Sequence, residues 1–114
     1  MAEELLSIPV QTGLAAQQEP WTVVARSERV NRDWQRLIER APENAACCYA
    51  YLRAAPMTRY PGRVFPLRGK LYRGVWEYEV ARGDRLYYRP DPVARKVIVY
   101  YAGPHVDPAP APPR

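Results

Sequence analysis

The chain has 114 residues, 47% of them hydrophobic, and a formal net charge of +5. That length admits one domain with a single modest core, and the apolar share excludes a disordered chain through the middle. No stretch approaches the roughly 20 apolar residues of a membrane helix, which excludes a helical span.

Residues 1–20 carry Glu3, Glu4 and Glu19 and no Lys or Arg. They show no sustained hydrophobic period and read as a tail or a loosely attached N-terminal extension, whose order the sequence leaves open. They lack the basic n-region of a secretory signal, so the protein is expected in the cytoplasm. Trp21-Thr-Val-Val-Ala25 is aromatic and β-branched, the composition of a first strand. Ser27 follows where a helix N-cap belongs. Val30, Trp34, Leu37, Ile38 and Ala41 then fall on one helical face. Pro42 stops this helix and can open the next. In that second helix Ala45, Cys48, Tyr49 and Leu52 share a face, and Pro56 closes it. So short a connection predicts an antiparallel helical hairpin over 27–55. Cys47 and Cys48 are adjacent and cannot staple distant segments, so one or both are expected to pack as small apolar side chains.

Beyond residue 60 the period changes from helical to alternating. Val64–Leu67 reads as a short extended segment. Trp76, Tyr78 and Val80 point one way, and Glu77 and Glu79 the other. Ala81-Arg-Gly-Asp84 supplies a turn with a glycine for a left-handed residue. Arg85–Arg89 continues as a strand, Pro90-Asp-Pro92 turns again, and Lys96–Tyr101 is the last strand. From Gly103 onward the chain holds five prolines and no apolar face, so residues 106–114 are expected to be a disordered tail. The order predicts an α+β domain over 21–105, a two-helix hairpin packed on a small antiparallel β-sheet. Trp76, Tyr78, Val80, Leu86 and Tyr88 would fill the space beneath the helices, leaving the other face open.

Charge concentrates on that sheet. Segment 59–96 holds ten Lys or Arg against four carboxylates, an excess of +6 where the whole chain has +5. Interleaved tyrosines add rings for base stacking to cations for a phosphate backbone. A solvated basic surface, or a patch for an acidic protein, would use the same charges. One histidine and no cluster of ligands at metal spacing give no metal site, and no Gly-rich phosphate loop is present, so no cofactor is expected.

Four pieces in order carry a family resemblance: Pro66-Leu-Arg-Gly69, Gly74-Val-Trp-Glu-Tyr-Glu-Val80, Gly83-Asp-Arg-Leu-Tyr-Tyr88 and Val97-Ile-Val-Tyr-Tyr-Ala-Gly-Pro-His105. With the helical hairpin ahead of them, they resemble the RelE/ParE toxin superfamily over about residues 21–105. The resemblance implies the toxin of a type II toxin–antitoxin module, neutralised by a cognate antitoxin. Its RelE-like members cut mRNA, generally on the ribosome, and its ParE-like members inhibit gyrase. The reading taken from it is a metal-independent endoribonuclease, an mRNA interferase with mRNA, ribosome and antitoxin as partners. A gyrase inhibitor without nuclease activity, or an inactive binding relative, stays open.

The same resemblance assigns candidate site residues. The family's arginine at the start of the Arg-Leu-X-Tyr strand falls on Arg85, facing the scissile phosphate. A fixed guanidinium there stabilises the charge that builds as a 2′-hydroxyl attacks phosphorus. The residues alone also allow a simple ion pair from Arg85 to Glu77 or Glu79. At the end of the last strand, where members place a second catalytic side chain, stands His105, suited to proton transfer near neutral pH. Glu77 and Glu79 occupy positions where some members carry lysines, and either suits a general base. The glutamate that other members place before the Pro-Leu pair is replaced by Phe65. Arg68, Lys70, Arg73 and Arg89 would hold the RNA backbone, and Tyr87 would share the face of Arg85 and stack on a base or donate to a phosphate.

Overall fold

The computed structural model describes residues 4–5 and 19–113. The expected extension over 1–20 therefore lies outside the described residues, apart from 19–20 and the backbone of Glu4–Leu5. Glu4–Leu5 forms β1, and it is followed by β2 (Thr22–Ala25), α1 (Glu28–Arg40) and α2 (Pro42–Ala54). Next come β3 (Val64–Pro66), a 3₁₀ turn at Lys70–Tyr72, β4 (Trp76–Ala81), β5 (Asp84–Asp91) and β6 (Lys96–Pro104).

The helices begin and end where local chemistry dictates. Ser27 caps α1, its hydroxyl accepting from the Val30 N–H at 3.3 Å. Pro42 occupies the start of α2, where a missing N–H costs nothing. Val30, Trp34 and Leu37 of α1 and Ala45, Cys48 and Leu52 of α2 are buried, as their spacing predicts. Cys48 packs as a small apolar group while Cys47 is exposed, and both are free thiols.

The strands form one sheet in the order β1-β2-β6-β5-β4-β3. Strands β3 to β6 pair antiparallel, but β2 runs parallel to β6, with Val23 opposite Val97. The sheet is thus mixed rather than wholly antiparallel. The helical hairpin carries the chain from β2 back across one face, the kind of long crossover that parallel neighbours require. Beneath the helices lie Tyr78, Val80, Leu86, Tyr88, Val97 and Val99, all buried, with Trp76 packed at the margin. Tyr88 donates its hydroxyl to the Pro56 carbonyl at 2.8 Å, which satisfies the polar end of a fully buried ring.

Two irregularities shape the opposite face. Gly83, at φ +84°, makes the tight turn between β4 and β5, a conformation that costs a glycine little. In β6, Tyr101 pairs with Tyr87 and Val99 with Tyr88, so Tyr100 is one residue too many for its partner strand. Such a bulge shifts the alternation by one. Tyr100 and Tyr101 accordingly both pack with Tyr87 on the face away from the helices.

Residues 106–113 have a described course, and Arg114 lies outside the described residues. The Tyr72 hydroxyl donates to the Ala109 carbonyl at 2.7 Å and the Tyr100 hydroxyl to the Pro110 carbonyl at 2.8 Å. Composition alone shows no apolar face on this segment. Tyr72 of the 3₁₀ turn and Tyr100 of β6 supply donors for its carbonyls instead.

Candidate active site on the open sheet face

Alternation along β4 and β5 brings Glu77, Glu79, Arg85 and Tyr87 to the face opposite the helices. In register, Glu77 stands opposite Tyr87, and Glu79 opposite Arg85. Arg85 then faces Gly103 on its other side, across β6. The Arg85 side chain is 17% exposed, with Nε 3.1 Å from Glu77 Oε2 and Nη1 3.9 Å from Glu79 Oε2. Nη1 also donates to the carbonyls of Ala81 at 3.4 Å and Asp84 at 3.2 Å. Nη2 makes no hydrogen bond among the described residues, so one amino group of the guanidinium is left for a ligand.

Among the described residues Glu77 is the one charged residue that is buried. Burial pushes its carboxyl upward from the usual carboxylate range, against the pull of the Arg85 and His105 charges, while Glu79 reinforces the rise. His105 lies just past the end of β6, its backbone N–H donating to the Gly83 carbonyl at 2.8 Å. That bond holds it beside the β4–β5 turn, with its side chain exposed. Arg85, Glu77, Glu79 and His105 are thereby gathered at one end of the face. Of the two roles the sequence allows Arg85, the ion pair is present, and it coexists with a free edge.

The aromatic end of the face is arranged differently from the expectation. Tyr87 does share the face of Arg85, but it is fully buried rather than open for stacking. Its ring lies 5.5 Å from that of Tyr101 and 6.3 Å from that of Tyr100. Its hydroxyl is buried with no hydrogen-bond partner among the described residues. Burial pushes that hydroxyl up to about 12, with the Glu77 charge adding to the rise and Arg85 opposing it. Tyr72, Tyr100 and Tyr101 complete the cluster, and Ala109 of the C-terminal segment packs against it. None of these three tyrosines follows from the strand pattern alone. The adjacent pair Tyr100-Tyr101 was the available signal, because a bulge is needed to place both on one face.

Arg68, Lys70 and Arg73 are exposed on the connection between β3 and β4. Short backbone bonds brace this connection, Leu67 N–H to Val75 O at 2.9 Å and Tyr72 N–H to Gly69 O at 3.1 Å. Since Tyr72 belongs to the aromatic cluster, the three cations border the platform. Arg89 is exposed on β5, where its charge acts on the Tyr100 hydroxyl. Among the described residues no three His, Cys, Asp or Glu side chains come together as a metal site. No described helix is long and apolar enough to cross a membrane.

No family model and no curated protein matches the chain. Solved structures do. The chain resembles a YoeB/ParE toxin from Agrobacterium tumefaciens at TM-score 0.58 and 22% identity, covering 74% of this chain and 98% of that one. It also resembles a chain of the YoeB–YefM toxin–antitoxin complex from Staphylococcus aureus at TM-score 0.55 and 14% identity, covering 74% and 95%. A third likeness is to a chain of the RelBE2 toxin–antitoxin complex from Mycobacterium tuberculosis, at TM-score 0.52 and 23% identity, covering 75% and 99%. At these identities what is shared is the fold.

Proposed function

We propose that this chain, which has the RelE/ParE toxin fold, is the toxin of a toxin–antitoxin module and cleaves mRNA on its open sheet face. The observation that carries the reading is Arg85, held rigidly between Glu77 and Glu79 with a free amino group and with His105 alongside. In this reading the RNA's own 2′-hydroxyl attacks the adjacent phosphorus. Glu77 or Glu79 takes its proton, and burial raises the proton affinity of Glu77. Arg85 stabilises the added negative charge of the phosphorane. His105 gives a proton to the departing 5′ oxygen, which leaves as a hydroxyl, and the other fragment ends in a 2′,3′-cyclic phosphate. Arg68, Lys70, Arg73 and Arg89 hold the flanking phosphates, and ribosome-bound mRNA is the substrate.

Two of the similar structures are complexes of a toxin with its antitoxin. An antitoxin is accordingly the proposed protein partner here, acidic enough to meet the +6 of segment 59–96. The two carboxylates on Arg85 favour one second reading, a relative that binds without chemistry.

Incubating purified protein with RNA in the presence of a chelator tests the reading. Cleavage that persists and leaves 2′,3′-cyclic phosphate and 5′-hydroxyl ends supports it. RNA left intact, with and without magnesium and ribosomes, selects the second reading.

A further inference from the structure

Four of the eight residues from 106 to 113 are proline. Proline fixes φ at about −65° and has no N–H, so such a segment cannot add a ladder strand to a sheet and presents carbonyls at those positions. It also has little backbone freedom left to lose on docking. Tyr72, from the connection before β4, and Tyr100, from β6, donate to two consecutive carbonyls, Ala109 and Pro110. Between them the small Ala109 side chain packs on the cluster that buries Val75, Tyr87 and Tyr100.

Within that cluster the Tyr87 hydroxyl is buried with no hydrogen-bond partner among the described residues, an unmade bond that costs free energy. A ligand offering a phosphate or base acceptor would satisfy it. The segment that has to move is also well delimited. His105 is tied to Gly83, β6 runs to Pro104, and Val106, Asp107 and Pro108 are exposed.

We propose that residues 106–113 are a strap in cis that closes the Tyr72–Tyr87–Tyr100 platform, and that single-stranded RNA displaces it. The inference rests on the RNA reading above and adds a regulation to it. Among the described residues no hydrogen bond or ion pair joins the strap to Arg85, Glu77 or Glu79. It therefore governs the affinity for RNA and not the chemical step.

The test is ¹⁵N relaxation of the Val106, Ala109 and Ala111 amides in the full chain, alone and with a short 2′-O-methyl RNA that cannot be cleaved. The amides should be ordered in the free protein and become mobile when RNA binds. Ala109→Asp, which puts a charge against the tyrosine rings, should free them without RNA. If the strap is closed in nine molecules of ten, that variant should bind the RNA about tenfold tighter, with an unchanged cleavage rate at saturation. Tyr72→Phe with Tyr100→Phe keeps the rings, loses both donors and should also loosen the strap. Mobile amides in the free wild type overturn the strap, as does RNA that binds while they stay ordered. An ordered strap in a protein whose wild-type and Ala109→Asp forms both fail to bind RNA overturns the RNA reading and the gating with it, and leaves only the docking.

Discussion

Arg85 stands opposite Glu79 in the ladder, yet its nearest carboxylate is the diagonal one, Glu77, at 3.1 Å against 3.9 Å. The diagonal reach places a guanidinium beside a carboxylate that is buried and whose affinity for protons is raised. In the proposed mechanism the cation for the phosphorane and the base for the 2′-hydroxyl are thus one unit.

Replacing Arg85 breaks both halves of that unit. Arg85→Ala should lower the single-turnover cleavage rate by about 10²–10³-fold, the scale for losing one charge-stabilising donor. Binding of RNA should weaken far less, because Arg68, Lys70, Arg73 and Arg89 remain. Arg85→Lys should recover little, since an ammonium cannot hold Glu77 and a phosphate oxygen with one planar fork.

His105 is predicted to matter through its proton. His105→Ala should cost about 10²–10⁴-fold in rate and remove one limb of the pH–rate profile. A profile that keeps both limbs in this variant would leave His105 without a part in proton transfer.

Glu77 sets a pH dependence of stability. Its pKa is raised on folding above the ordinary 4.5, so the native state holds its proton more tightly than the unfolded chain. The stabilising contribution is complete below 4.5 and is lost as pH rises through the folded value. Against Glu77→Gln, which cannot titrate, the wild type should therefore lose relative stability as pH rises from about 4 toward neutrality. Urea unfolding of both proteins across that range measures the difference.

The helix side offers a separate check on the fold. Tyr88→Phe removes the donor to the buried Pro56 carbonyl and should destabilise by about 1–3 kcal/mol, the cost of an unpaired buried acceptor. Activity per folded molecule should not change, because Tyr88 lies on the far side of the sheet from Arg85.

What the sequence made legible was periodic. Val30, Trp34 and Leu37, and Tyr78, Val80 and Leu86, reveal the helical hairpin and the buried sheet face, and the same alternation puts Glu77, Glu79, Arg85 and Tyr87 on the other face. Three features had no periodic signal. The parallel pairing of β2 with β6 is a matter of topology, which Thr22–Ala25 does not encode locally. The extra residue at Tyr100 interrupts the alternation that served elsewhere. The course of residues 106–113 depends on two hydroxyls, from Tyr72 and Tyr100, far away in the chain or outside the segment's own composition.

Mapping mRNA 5′ ends after induced expression tests the central claim most directly. The wild type should produce new internal ends in cellular mRNA, an Arg85→Ala, His105→Ala double variant should not, and co-expressed antitoxin should abolish them. Growth arrest by the wild type with mRNA left intact would contradict cleavage on this face and point to gyrase or another target. Unchanged cutting by the double variant would place the active site elsewhere.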